Sequence, residues 1–146
     1  MTPKRLWRGL PVLAGLVTIS LGAPSVSADP ARTDPAVVTQ AVQAGLRILQ
    51  KGTLGYSEKQ NCFTCHNQTL PMLAQATARK HGFKINEELL HEQARFTHES
   101  FEERTSSLRR GKGIGGQSMT VAFGLWALDL AEWQPGETTE AMADFL

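Results

Sequence analysis

From Pro35 to Leu146 the apolar residues of this chain recur at spacings of three and four and nowhere alternate one in, one out, which is the pattern of helices and not of strands. That periodicity restricts the fold to the all-α class before any single residue is weighed. Asp34 followed by Pro35 reads as an N-cap with proline in the first turn, and it sets Val38, Ala41, Val42, Gly45, Ile48 and Leu49 on one face of a first helix ending near Lys51 and Gly52. Leu70 and Pro71 open a second helix that runs to His81, with Gly82 as a left-handed terminator and Phe83 as the apolar residue beyond. Asn86 caps a third, with Glu87 and Glu88 at its positive end and Leu90, Ala94, Thr97 and Phe101 as its inner stripe.

Ser106 to Gln117 is a basic, glycine-rich stretch and is expected to form a loop. Ser118 then starts a helix that is apolar nearly all round, through Met119, Val121, Ala122, Phe123, Leu125, Trp126, Leu128 and Leu130, and such a helix is expected in the middle of a packed structure. Gln134-Pro135-Gly136 closes it, and Thr138 or Thr139 caps a last helix. That helix reaches Leu146 without a stop signal, as expected of a fragment truncated at its C-terminus.

Thr53 to Asn61 reads as a connector that delivers Cys62-Phe63-Thr64-Cys65-His66. These five residues hold both cysteines of the chain and spell C-x-x-C-H, the spacing at which two thiols reach the two vinyl groups along one side of a porphyrin while the adjacent histidine is carried to the iron. A disulfide between such near neighbours closes too short a loop to stabilise a fold and leaves His66 unexplained. A redox dithiol calls for a strand before Cys62, and none is predicted. Zinc held by the two cysteines with two of His66, His81, His91 and His98 matches no familiar spacing.

The start of the chain agrees with haem attachment, which takes place on export. Lys4, Arg5 and Arg8 make a basic n-region, Leu10 to Leu21 is mostly apolar, and Val26-Ser27-Ala28 supplies small residues, so residues 1–28 read as a signal peptide cleaved after Ala28. The apolar stretch is well short of the roughly 20 residues that span a bilayer, and it contains Pro11. Cleavage leaves residues 29–146 as one helical haem domain, periplasmic or secreted. Loss of three basic residues takes the formal charge from +1 to −2, which gives no support for nucleic-acid binding.

The motif resembles the haem site of cytochromes c. That resemblance implies one haem c per chain, Cys62 and Cys65 as the thioether-forming residues, and His66 as the proximal iron ligand. For the sixth ligand, Met72 is too near: six residues past His66 span only about 20 Å fully extended, so Met72 is expected in the core or at the haem edge. Met119, in the first turn of an apolar helix, is the first choice, with an ordinary core methionine as the competing reading. His98 is second, on a helix face shared with His91, Arg95 and Glu102 that reads as solvated surface. An iron without a protein sixth ligand is third. The downstream P-x-M loop of compact class I cytochromes has no counterpart.

A second, looser resemblance concerns the scaffold. Leu73 to Asn86 and Trp126 to Thr139 both run from an apolar helix through a glycine turn into a capped amphipathic helix, at an offset of 53 positions. The alternation is similar to the α/α toroids of squalene-hopene cyclases and prenyltransferases, some exported relatives of which carry a C-x-x-C-H near the first hairpin. The D-x-D-D motif of those cyclases is absent, so terpene chemistry is not implied. Any helical protein can show two such hairpins, and an unrelated helical bundle is the alternative.

The function expected from the iron is single-electron transfer with a redox partner protein, Leu70, Leu73, Phe123 and Trp126 helping to exclude water. The alternative is a small-ligand-binding or sensor module of a larger toroid. Peroxidase-like catalysis would need a distal acid-base group that Arg95 or His98 does not establish from sequence. Gly111 to Gly116 satisfies G-x-G-x-x-G but follows a helix and reads as a flexible loop. Asn67-Gln68-Thr69 fits a glycosylation sequon, yet a glycan there would obstruct the haem motif.

Overall fold

The computed structural model describes residues 34–146, so the signal-peptide reading of residues 1–28 lies outside the described residues. These residues form six helices and no strand: α1 (Pro35–Ser57), α2 (Thr69–Lys80), α3 (Glu87–Glu102), α4 (Thr105–Arg109), α5 (Gln117–Leu130) and α6 (Glu137–Phe145). The all-α class therefore stands. None of them is long and apolar enough to cross a membrane.

The expected caps are in place where their chemistry is local. Asp34 Oδ1 accepts from the Ala36 N–H at 2.8 Å, and Asn86 Oδ1 accepts from the Leu89 N–H at 3.0 Å. Gly82 ends α2 with φ at +77°, and the Phe83 N–H returns to the Ala78 carbonyl. In α3 the whole expected stripe of Leu90, Ala94, Thr97 and Phe101 is buried.

Three expectations are corrected. First, α1 does not stop at Gly52 but continues to Ser57, with Thr53 buried and its hydroxyl bonded to the Leu49 carbonyl at 2.9 Å. Its inner face is built on Leu46 and Thr53, whereas Ile48 is 73% exposed and Val38 and Leu49 are also exposed. The residues chosen from the periodicity form a second apolar stripe, and the packing against α2 and α3 selects the other one. Second, the stretch after Ser106 is not all loop, because Thr105–Arg109 makes the short helix α4, anchored by the buried Leu108. Third, α6 is capped at Gly136, whose N–H donates to Thr139 Oγ1 at 2.8 Å, so Thr139 serves from inside the first turn.

The core gathers Met72, Leu90, Phe101, Leu108, Val121, Leu128 and Met142, with α5 packed against α2, α3 and α6. Gly124 permits that approach: a Cβ there would run into the Phe101 ring and the Met142 methyl. The other side of α5 is not covered. Met119 is 65% exposed, Trp126 is 41% exposed and Ala122 is exposed, so this apolar helix has a buried side and an open one.

Two hairpins, α2 with α3 and α5 with α6, share a turn geometry. Gly82 and Glu132, fifty positions apart, both have left-handed backbone, at φ +77° and +57°. The Phe83 and Trp133 N–H groups, also fifty apart, each return to a carbonyl five residues back, those of Ala78 and Leu128. The register of the repeated turn is thus 50 and not the 53 expected from composition. Arg79 joins the two turns through ion pairs to Glu87 at 3.2 Å and Glu132 at 2.9 Å.

Candidate haem-attachment site

The C-x-x-C-H segment is held by its middle residues and leaves its chemistry outward. Phe63 is buried and packs its ring against Phe101 at 5.3 Å, so the motif is pinned to the core by a residue between the two cysteines. Thr64 is fixed by the buried Gln68, whose Oε1 accepts from the Thr64 N–H at 2.7 Å. From Thr64 onward the chain turns into α2: the Gln68 N–H bonds to the Thr64 carbonyl and the Leu70 N–H to the Cys65 carbonyl, both at 3.0 Å. Cys62 is exposed, Cys65 half-buried and His66 exposed, and the two thiols are not joined.

Tyr56, on the last turn of α1, reaches the other end of the motif. Its hydroxyl donates to the Cys62 carbonyl at 3.1 Å and lies 3.4 Å from Cys62 Sγ. Partial burial raises the phenol above its ordinary pKa, and the hydrogen bond to Cys62 raises it further, against a smaller lowering by the Thr64 side chain. Tyr56 is the single tyrosine of the chain, so an ultraviolet phenolate titration reads it alone. The expected midpoint lies above the ordinary value of about 10. Because the folded chain holds this proton to higher pH, the contribution to stability is present below the ordinary value and is lost as pH rises through the folded one. A midpoint at or below the ordinary value would count against the partly buried setting of this hydroxyl beside Cys62.

Met119 lies at the same end of the molecule as the motif. Thr69 Oγ1 donates to the Phe123 carbonyl at 2.9 Å, and ten residues later Arg79 reaches the Leu130 carbonyl at 3.4 Å. The helices α2 and α5 therefore run parallel, and the first turn of α5, which carries Met119, lies beside the segment that precedes α2. Thr120 lines a cleft of about 280 Å³ together with Cys62, Phe63, Arg104, Ile114 and Gly115. Met119 is exposed, which removes the core-methionine reading, while Met72 is fully buried in the core.

Of the residues expected to exclude water, Leu73 and Phe123 are half-buried, and Leu70 (48%) and Trp126 (41%) are exposed. They make an open apolar surface along α2 and α5, with the Phe123 and Trp126 rings 6.0 Å apart. His98 is drawn elsewhere: it stacks on Trp133 at 5.2 Å and lines a separate cleft with Arg109 and Glu137, none of whose lining residues belongs to the motif. In the sequon, Thr69 is fully buried with its hydroxyl on α5.

Among the described residues no group of three His, Cys, Asp or Glu side chains is placed to hold a metal ion. Zinc takes three or four such donors from the protein, whereas a haem iron takes four nitrogens from its own ring and needs only axial ligands from the protein. The donor set therefore fits a haem: two unpaired thiols, an outward imidazole, and apolar side chains left open at the same end. The sequence reading named Cys62, Cys65, His66 and Met119 but neither Tyr56, which reaches Cys62 only because α1 continues past Gly52, nor Gln68, whose amide carries no motif signal although it acts four residues away on Thr64. Comparison with family models, with curated proteins and with solved structures finds no match to this chain.

Proposed function

We propose that this chain is an exported c-type haem protein that passes single electrons to and from a redox partner protein. The observation that carries the reading is the pair of unpaired cysteines followed by an outward-facing histidine, on a segment whose intervening Phe63 is locked into the core. A haem held there supplies a one-electron iron couple. Cys62 and Cys65 would hold it through thioether bonds, and His66 would give a ring nitrogen to the iron. Gln68 and Phe63 keep the segment in one conformation, so that the cysteines and the histidine are presented together. Leu70, Phe123 and Trp126 offer apolar area that a porphyrin face would remove from water, which lowers the local dielectric and raises the potential. The alternative, a small-ligand-binding or sensor module of a larger helical toroid, draws on the repeated turn of the two hairpins.

The test is a pyridine haemochrome spectrum of protein produced with a cytochrome c maturation system. A c-type band that survives acid-acetone extraction is expected, and its absence removes the proposal. For the sixth ligand, Met119 is proposed because it is an exposed methionine at the motif's end of α5. The ferric protein should then show a sulfur-to-iron charge-transfer band that disappears in Met119→Ala, and the reduced variant should bind carbon monoxide rapidly. A band that persists in Met119→Ala eliminates this ligand. Rapid carbon monoxide binding by the unaltered protein would favour the small-ligand module instead.

A further inference from the structure

We infer that Tyr56 is the positioning residue for the Cys62 linkage, and that it acts on Cys62 more strongly than on Cys65. This rests on the haem reading above but concerns a residue that the motif does not contain. The two cysteines are supported differently. Cys65 lies in the turn that feeds α2, where its carbonyl accepts from the Leu70 N–H and the flanking Thr64 is fixed by Gln68. Cys62 is exposed and precedes all of those bonds, and the side chain that bonds to it is Tyr56, at both its carbonyl and its sulfur.

The reach of Tyr56 follows from the extension of α1. Glycines at 52 and 55 would be expected to end the helix, yet Thr53 is buried, and Ser57 Oγ donates to the Leu54 carbonyl at 3.1 Å. The added turn carries the phenol ring to the start of the motif. Addition of a thiol across a vinyl group forms one S–C bond and moves the thiol hydrogen to the neighbouring vinyl carbon, with nothing released. A thiol can donate or accept a hydrogen bond, but a thioether sulfur only accepts. The Tyr56 hydroxyl, whose one hydrogen goes to the Cys62 carbonyl, accepts from the thiol before the step, and the carbonyl bond still holds Cys62 in place once the sulfur is a thioether.

The experiment compares the unaltered chain with Tyr56→Phe, each loaded by the maturation system below the lower of the two melting points. Unreacted thiols are alkylated after denaturation, and each cysteine is read by peptide mass spectrometry. The unaltered protein should show neither cysteine alkylated. In Tyr56→Phe, alkylation at Cys62 should exceed that at Cys65 by about fivefold, the weight of one hydrogen bond of about 1 kcal/mol, with the helical circular dichroism of the unloaded chain unchanged. No covalent haem on the unaltered protein defeats the haem reading itself. Covalent haem on the unaltered protein, with both cysteines of Tyr56→Phe linked or both lost equally, overturns the role of Tyr56 alone.

Discussion

Cys62→Ser with Cys65→Ser should abolish covalent haem entirely while leaving the helical fold at its original melting temperature. The two halves of that outcome have separate physical sources. The thiols are the groups able to bond to vinyl carbons, so their loss leaves a porphyrin extractable by acid-acetone. Neither thiol carries much of the fold, because Cys62 is exposed and Cys65 only half-buried, and exchange of sulfur for oxygen there changes packing little. What anchors the segment is Phe63 on Phe101 and Gln68 on Thr64, and both survive the substitution. If His66 is the proposed ligand, His66→Ala separates the roles further: thioethers would still form but the iron would lose the imidazole nitrogen, so a covalent haem with an altered ferric spectrum is expected. The checks are the haemochrome spectrum, acid-acetone extraction and a thermal melt of each unloaded protein. A double-serine variant that retains acid-stable haem would contradict the assignment outright.

How much of this was legible in the sequence depends on whether the deciding interaction is local. Asp34, Asn86 and Gly82 act within four residues of themselves, and each does what its position predicts. The α3 stripe was legible because its polar face, with Glu88, Glu92, Arg95 and Glu99, leaves one apolar side to bury. The helix α1 offered two apolar stripes, and only its neighbours decide that Leu46 goes in and Ile48 stays out. Glu132 adopts left-handed backbone where the first hairpin uses Gly82, so the second turn carried no glycine signal at its critical position and the repeat was read three residues out of register. Gln68, Gln75 and Gln93 are fully buried amides, a residue type that composition assigns to the surface. For the site, the proposed chemistry rests on the spacing of Cys62, Cys65 and His66, which is local and visible in the sequence. The Tyr56 contact was not legible because it needs α1 to continue through two glycines.

Phe101→Ala should give the largest loss of stability of any single substitution considered, about 3–5 kcal/mol, against a total of about 5–15 kcal/mol for a domain. Phe101 is 1% exposed, closes against Gly124 of α5, packs on Phe63 of the C-x-x-C-H segment and lines the cleft that Cys62 shares. Its removal opens a cavity between α3 and α5 and takes away the surface that pins the motif. The midpoint in urea should fall steeply, and the yield of doubly linked haem should fall with it, even at temperatures where the variant remains folded. The reciprocal change, Gly124→Ala, drives a methyl into the Phe101 ring and the Met142 methyl and should cost about 1–3 kcal/mol through overpacking. If the two residues meet as described, the costs are not additive: in the double variant the methyl introduced by Gly124→Ala occupies part of the space that the ring vacates, so the pair should be less destabilised than the sum of the singles. A double-mutant cycle by urea unfolding measures that difference. Additive costs would mean that α5 does not rest on Phe101.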